Sequence, residues 1–290
     1  MKRPSASILL VLLLGSVAGA ATPAVAQTAD EIIAKARAYL GGDAALNLVH
    51  SVHFRGVLET QKMTATGLVP QKATVEIFFQ KPYQQLIVAT GAEAIESTGL
   101  DGYIAWQSEQ DRTDPTRWNL STLGPEMTKA LRATTWENLY FYKGIGEQGG
   151  KVTVVGPAMI EGHAAIKVAF AHDADLVFTR YFDPASGQLL FTETKDRSIR
   201  EEGEILVNGL RFPQKVIQTI KGLDANRQPV ERTHIMTFDT ITLNEVFPAS
   251  YFEMPRLPHP APAAKAASGK PPATPAAPPA AAKPTPAVAK

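Results

Sequence analysis

The chain contains no cysteine among its 290 residues. This excludes a disulfide framework, thiol chemistry and a lipid-modified N-terminal cysteine. The His-Glu-x-x-His helix of metalloproteases and the Gly-x-Ser-x-Gly elbow of hydrolases are also missing. Nor is there an apolar run long enough to span a bilayer as a helix, which takes about 20 residues. The longest such run near the start, Ile8 to Leu14, follows Lys2 and Arg3 and precedes Ala24-Val25-Ala26. A positive start, a short apolar stretch and small residues before Gln27 together read as a cleavable export signal over residues 1–26. The mature chain is then expected in the periplasm, or secreted, without an integral membrane span. That compartment disfavours chemistry driven by ATP or NAD.

Acids are missing from the other end. Residues 256–290 hold ten Pro, thirteen Ala and five basic residues, but no Asp or Glu. Such a segment cannot bury enough apolar surface to offset its ordering entropy, and reads as a disordered Pro/Ala/Lys-rich tail. Between signal and tail, residues 27–255 carry 22 basic and 28 acidic residues, so the near-zero total charge hides an acidic core and a basic tail. The acidic core and the compartment argue against a nucleic-acid partner. The tail suits a solvated spacer better than an anionic-surface anchor.

Within the core, Asp30-Glu31 opens a helix, with Asp30 as a candidate cap. Ile32, Ile33, Ala36, Tyr39 and Leu40 form its apolar side, Gly41-Gly42 stops it, and Asp43 starts a second short helix. From Ser51 the period becomes two. Strands follow around 52–59, 74–80, 84–90, 93–99 and 103–107, with Asp101-Gly102 as a hairpin turn. Residues 111–124 are polar and read as a loop. Pro125 then starts a helix striped by Met127, Leu131, Thr135, Asn138 and Tyr142, and apolar on more than one side. Strands resume from Lys151, with a second hairpin turn at Asn208-Gly209 and a last strand over 231–243. Pro213 marks an edge or a bulge. The expectation is a mainly β domain with three helices and about eleven strands in a large curved antiparallel sheet.

Alternating large residues run along most strands. The order of motifs is Leu40-Gly41-Gly42 with Ala44-Ala45-Leu46, then Val52-His53-Phe54-Arg55-Gly56 and Asp101-Gly102 leading to Trp106. Tyr181-Phe182-Asp183-Pro184, Gly209-Leu210-Arg211-Phe212-Pro213 and Phe252-Glu253-Met254-Pro255 follow. In this order the chain resembles the outer-membrane lipoprotein-sorting family with the LolA-like fold. The resemblance implies an incomplete β-barrel covered by helices, whose apolar interior holds acyl chains of lipids or lipoproteins. The expected lining residues are Phe54, Phe79, Trp106, Leu131, Phe170 and Phe178. The alternative is a non-catalytic envelope scaffold or sensor with a packed interior and a protein partner.

Neither reading requires catalysis, a cofactor or a metal. His50 and His53 are only two potential ligands, where a metal site needs three or four. Glu201, Glu202 and Glu204 read as a polar turn. Gly144-x-Gly146-x-x-Gly149 has dinucleotide-fingerprint spacing, but it follows a helix and precedes a strand, the reverse of what phosphate binding requires. Trp118, with Arg112, Arg117 and Asp114, is expected on a loop, either in recognition or tucked onto the barrel rim.

Overall fold

The computed structural model describes residues 27–64, 67–223 and 227–256. The expected signal and nearly all of the expected tail lie outside these residues. Among the described residues are three α-helices: α1 (Ala29–Leu40), α2 (Asp43–Asn47) and α3 (Pro125–Tyr140). The strands of the first half are β1 (Ser51–Thr64), β2 (Gly67–Gln80), β3 (Gln84–Thr90), β4 (Ala94–Asp101), β5 (Ile104–Asp111) and β6 (Trp118–Thr122). Those of the second half are β7 (Lys151–Ile160), β8 (His163–Asp173), β9 (Leu176–Phe182), β10 (Leu189–Glu193), β11 (Arg197–Val207), β12 (Leu210–Leu223) and β13 (Pro229–Leu243).

All thirteen strands form one antiparallel sheet in the order β6-β5-β4-β3-β2-β1-β13-β12-β11-β10-β9-β8-β7. Strand β1 sits mid-sheet beside β13, and each half of the chain meanders outward from that seam. The two edges, β6 and β7, are consecutive in the chain and unpaired with each other, so the sheet is not closed. Only α3 and its flanking loops connect them. The helix therefore travels from one edge of the sheet to the other, and packs against β2 and β5 on its way.

Local chemistry explains the helix ends. Thr28, rather than Asp30, caps α1: its hydroxyl accepts from the Glu31 amide, while the Glu31 carboxylate accepts from the Thr28 amide. This is the reciprocal Thr-x-x-Glu capping box. Asp43 lies in the first turn of α2 behind Gly42 and pairs with Arg37 instead of capping. Pro125 occupies the first turn of α3, as expected.

The sheet has an inner face under the helices and an outer face. Pairing fixes which residue lies where, because side chains alternate along each strand. Val52, Phe79, Gln85, Leu100 and Ala105 are successive cross-strand partners and share the inner face. The neighbouring row, Phe78, Leu86, Gly99 and Trp106, therefore faces outward. Two inner clusters form. In the first, Leu46 and Leu139 from the helices meet Val52, Phe54, Ile77 and Phe79. In the second, Ile32, Ala36 and Trp136 meet Val168, Phe170 and Phe178. A third cluster joins Phe78, Leu86 and Trp106 to Phe252, which follows the 3₁₀ turn Ala249–Tyr251.

Several sequence expectations shift. The described residues hold thirteen strands instead of about eleven. Residues 118–122 form β6, an edge strand whose polar composition looks like a loop, as edge strands commonly do. Asp111 and Asp114 anchor the preceding turn through bonds to the Thr113 and Thr116 amides and hydroxyls. Glu201, Glu202 and Glu204 belong to β11, not to a turn. Pro213 pairs with Glu204 on β11, and its other side lies before the β12–β13 ladder begins at Lys215, so no amide is needed there. On α3, Met127 is exposed, and the buried positions include Thr135, Trp136, Glu137 and Leu139.

Candidate ligand-binding face

Four of the six expected lining residues sit on the inner side, though not as one set. Phe54 and Phe79 belong to the first inner cluster, with their rings edge-to-face at 6.3 Å. Phe170 and Phe178 are cross-strand partners in the second. Leu131 is half-buried on α3. Trp106 departs from the expectation. It faces outward over Gly99, where an added Cβ would lie 2.1 Å from the indole, and its Nε1 donates to the Phe252 carbonyl at 3.0 Å. The reason is register: Trp106 is one residue out of phase with Ala105, which takes the inner position opposite Leu100.

The inner face is longer than its cover. Strands β1 and β2 each run 14 residues, about 46 Å at ~3.3 Å per residue. Helix α2 and the end of α3 pack over the start of β1 and the facing end of β2, where Val52 and Val75 are fully buried. Further along the same face, Leu58, Met236 and Val216 form a cross-strand row and are only half-buried. Ile87 is half-buried as well. Apolar surface thus continues beyond the helices, rimmed by Glu201, the cross-strand partner of Val216.

Polar ties hold the helices to this face. Buried Arg37 on α1 donates to the Tyr140 and Phe141 carbonyls at 2.9 and 3.0 Å and to Asn47 at 2.8 Å, and also pairs with Asp43. One guanidinium thus joins α1, α2 and the C-terminal end of α3, whose last turn has no basic residue of its own to meet the partial negative charge of the last carbonyls. Glu137 on α3 is buried between Arg180 of β9 and His172 of β8, each at 2.5 Å. Burial would raise its pKa, but the Arg180 charge and the His172 bond outweigh that and hold it below the ordinary value. Thr135 donates to Gln85 Oε1 at 3.1 Å. The Gln85 Nε2 and Arg180 Nε atoms are buried without a partner. The sequence offered no sign of these ties: Glu137 looks like an ordinary helix acid, and its partners lie 35 and 43 residues away.

An aromatic and cationic stack runs along α3. The Arg132 guanidinium lies between the Tyr103 and Tyr83 rings, at 3.9 and 3.7 Å. Tyr83 tilts onto Trp136, Trp136 stacks on Tyr140 at 3.6 Å, and Lys81 lies 4.7 Å from the Tyr140 centroid. At the Lys81 end, a cleft of about 140 Å³ opens between α2 and α3, lined by Leu46, Asn47, Lys81, Leu139 and Lys143 among others.

The remaining sequence candidates take structural places. His53 stacks on Phe78 and bonds Glu245 at 3.1 Å on the outer face, while His50 is exposed. Trp118 lies in β6 and donates to the Pro115 carbonyl. Residues 144–149 form a loop with a 3₁₀ turn. Among the described residues, no three His, Asp or Glu side chains converge as a metal site, and no helix is long and apolar enough to cross a membrane.

No protein-family model and no curated protein matches the sequence. Solved structures do resemble it. A LolA superfamily protein from Nitrosomonas europaea superposes with a TM-score of 0.50 at 10% identity, covering 79% of this chain and 98% of that one. A DUF1329 family protein from Desulfovibrio piger gives a TM-score of 0.48 at 6% identity, covering 77% and 96%. An outer-membrane lipoprotein-sorting protein domain from Vibrio parahaemolyticus gives 0.46 at 7% identity, covering 77% and 94%. An open, helix-covered antiparallel sheet that matches the first of these over nearly its whole length is a LolA-like fold, and this chain has it.

Proposed function

We propose that this chain is an exported, periplasmic carrier that binds the acyl chains of a lipid or lipoprotein between its inner sheet face and its helices. The observation that carries the reading is the apolar inner face outrunning its helical cover, with Leu58, Val216 and Met236 half-buried. Each CH₂ moved from water onto such a surface contributes about 0.8 kcal/mol, so one chain gives useful affinity. The helices act as a cover that shifts to admit it, because their anchoring is partly polar and therefore exchangeable with water. Binding then needs no catalytic group.

The test is native mass spectrometry of the mature protein from its own periplasm, followed by organic extraction. Stoichiometric lipid or acylated peptide is the expected result. A clean unliganded mass that also refuses added fatty acid would contradict it. Leu58→Glu and Met236→Glu place a charge on the uncovered row without entering the fully buried core, and each is expected to abolish fatty-acid uptake.

A protein partner is the second reading. It draws on the free edge strand β7, which presents exposed Val155 and Met159. Unpaired strand edges are templates for strand addition. Co-purification of a partner displaced by substitutions in β7, with no lipid recovered, would favour it.

A further inference from the structure

The cleft between α2 and α3 has a composition that acyl-chain binding does not explain. Lys81, at the end of the β2 ladder, is half-buried there. Among the described residues no carboxylate pairs with it, and its ammonium lies over the Tyr140 ring. Burial lowers the Lys81 pKa, and the next influence on it is another cation, Arg37. Lys143 lies on the opposite side of the cleft, with its ammonium 3.2 Å from Asp43. Asp43 is already engaged by Arg37, so two cations share one carboxylate. Asn47 has its amide oxygen occupied by Arg37 at 2.8 Å, which leaves its NH₂ group as the free hydrogen-bonding end. Glu147 is the acid on the rim. The cleft lining itself therefore holds two cations, Lys81 and Lys143, and one carboxylate, Glu147.

The donors come from three separate segments and converge on a small volume. A cleft of about 140 Å³ is well below the ~300–1,000 Å³ of typical ligand pockets, so it suits a compact group. A tetrahedral oxyanion offers acceptors in three directions, whereas a planar carboxylate offers two. Lysine is a common point-charge partner for phosphate. Leu46 and Leu139 line the cleft and also belong to the first inner cluster, so the cleft adjoins that cluster.

We propose that the Lys81–Lys143–Asn47 cleft binds a phosphate group and, in an amphiphile, seats the phosphate of the head while the chain enters the first inner cluster. The placement of the chain rests on the carrier reading; the phosphate site does not.

Calorimetry on the mature full chain with three probes separates the two. The probes are glycerol 3-phosphate, 1-lauroylglycerol and 1-lauroylglycerol 3-phosphate. The phosphorylated lipid is expected to bind at least about tenfold tighter than the neutral one, a difference that corresponds to about 1.4 kcal/mol. In Lys81→Gln the two lauroyl affinities should converge. Should that variant fail to fold, Lys143→Gln is expected to reduce the preference several-fold. Equal lauroyl affinities in the parent protein overturn the phosphate site and leave the carrier standing. Lysine-dependent binding of glycerol 3-phosphate without lauroyl binding supports the site and overturns the carrier. No binding of any probe overturns both.

Discussion

The two faces of the sheet are covered in different ways. On the outer face the chain uses its own C-terminal segment. Phe252 is completely buried against Phe78 and Trp106, and Phe247 and Tyr251 stack around it. On the inner face the cover is three helices joined by ionic and hydrogen bonds as well as apolar contacts. Aromatic packing has no substitute in water. A guanidinium on a backbone carbonyl does, because water offers an equivalent partner. On the proposed carrier reading, the inner face is therefore the one that opens.

Substitutions can break this contrast, and the largest effect belongs to the outer face. Phe252→Ala should cost about 4 kcal/mol, as deletion of a buried ring does. Urea unfolding would register it as a global loss, with fatty-acid affinity of the folded protein unchanged. Glu137→Gln should cost about 3 kcal/mol, because it leaves Arg180 buried without its counter-charge. Adding Arg180→Met should return part of that loss, which a double-mutant cycle measures. Arg37→Met removes the bonds to the Tyr140 and Phe141 carbonyls and should cost about 2 kcal/mol. Hydrogen exchange should then speed up around residues 139–143 while β2 and β3 keep their protection.

The smallest effect is that of acid. The Glu137 pKa in the folded protein lies below its ordinary 4.5, so the folded state binds fewer protons than the unfolded state in that range. The Glu137 contribution is present above pH 4.5 and is lost as the pH falls through the lower folded value. Asp43, held down by the Arg37 bond, shifts in the same direction. The urea midpoint should therefore drop between pH 6 and pH 3, and Glu137→Gln should flatten that drop. An unchanged slope in the variant would remove Glu137 from the account.

Much of the fold was legible in the sequence. Asn208-Gly209 does turn the β11–β12 hairpin, the β4–β5 hairpin turns one residue later than the Asp101-Gly102 signal, at Gly102-Tyr103, and the alternation around Phe54 does separate two faces. The face of Trp106 was not legible. Strand β2 buries Ile77, Phe78 and Phe79 in succession, so its period of two disappears where both faces are covered. The run Phe78-Phe79, followed by Leu86-Ile87-Val88, was the available signal of two-sided burial. What covers the outer side comes from residues 247–252, nearly 150 positions after Trp106, and only the register reveals it. The Lys81 cleft was hidden for a similar reason, since its donors come from three distant stretches of chain.

The three tryptophans allow a direct test of the central claim. Trp136 lies in the helical cover of the inner face, and Trp106 lies under the outer plug. Single-tryptophan variants keeping either one can be titrated with a fatty acid brominated along its chain, which quenches indole fluorescence on contact. If the inner face takes the chain, Trp136 is quenched at saturation and Trp106 is not. Equal quenching of both, or of Trp106 alone, would contradict the assignment of the ligand to the inner face.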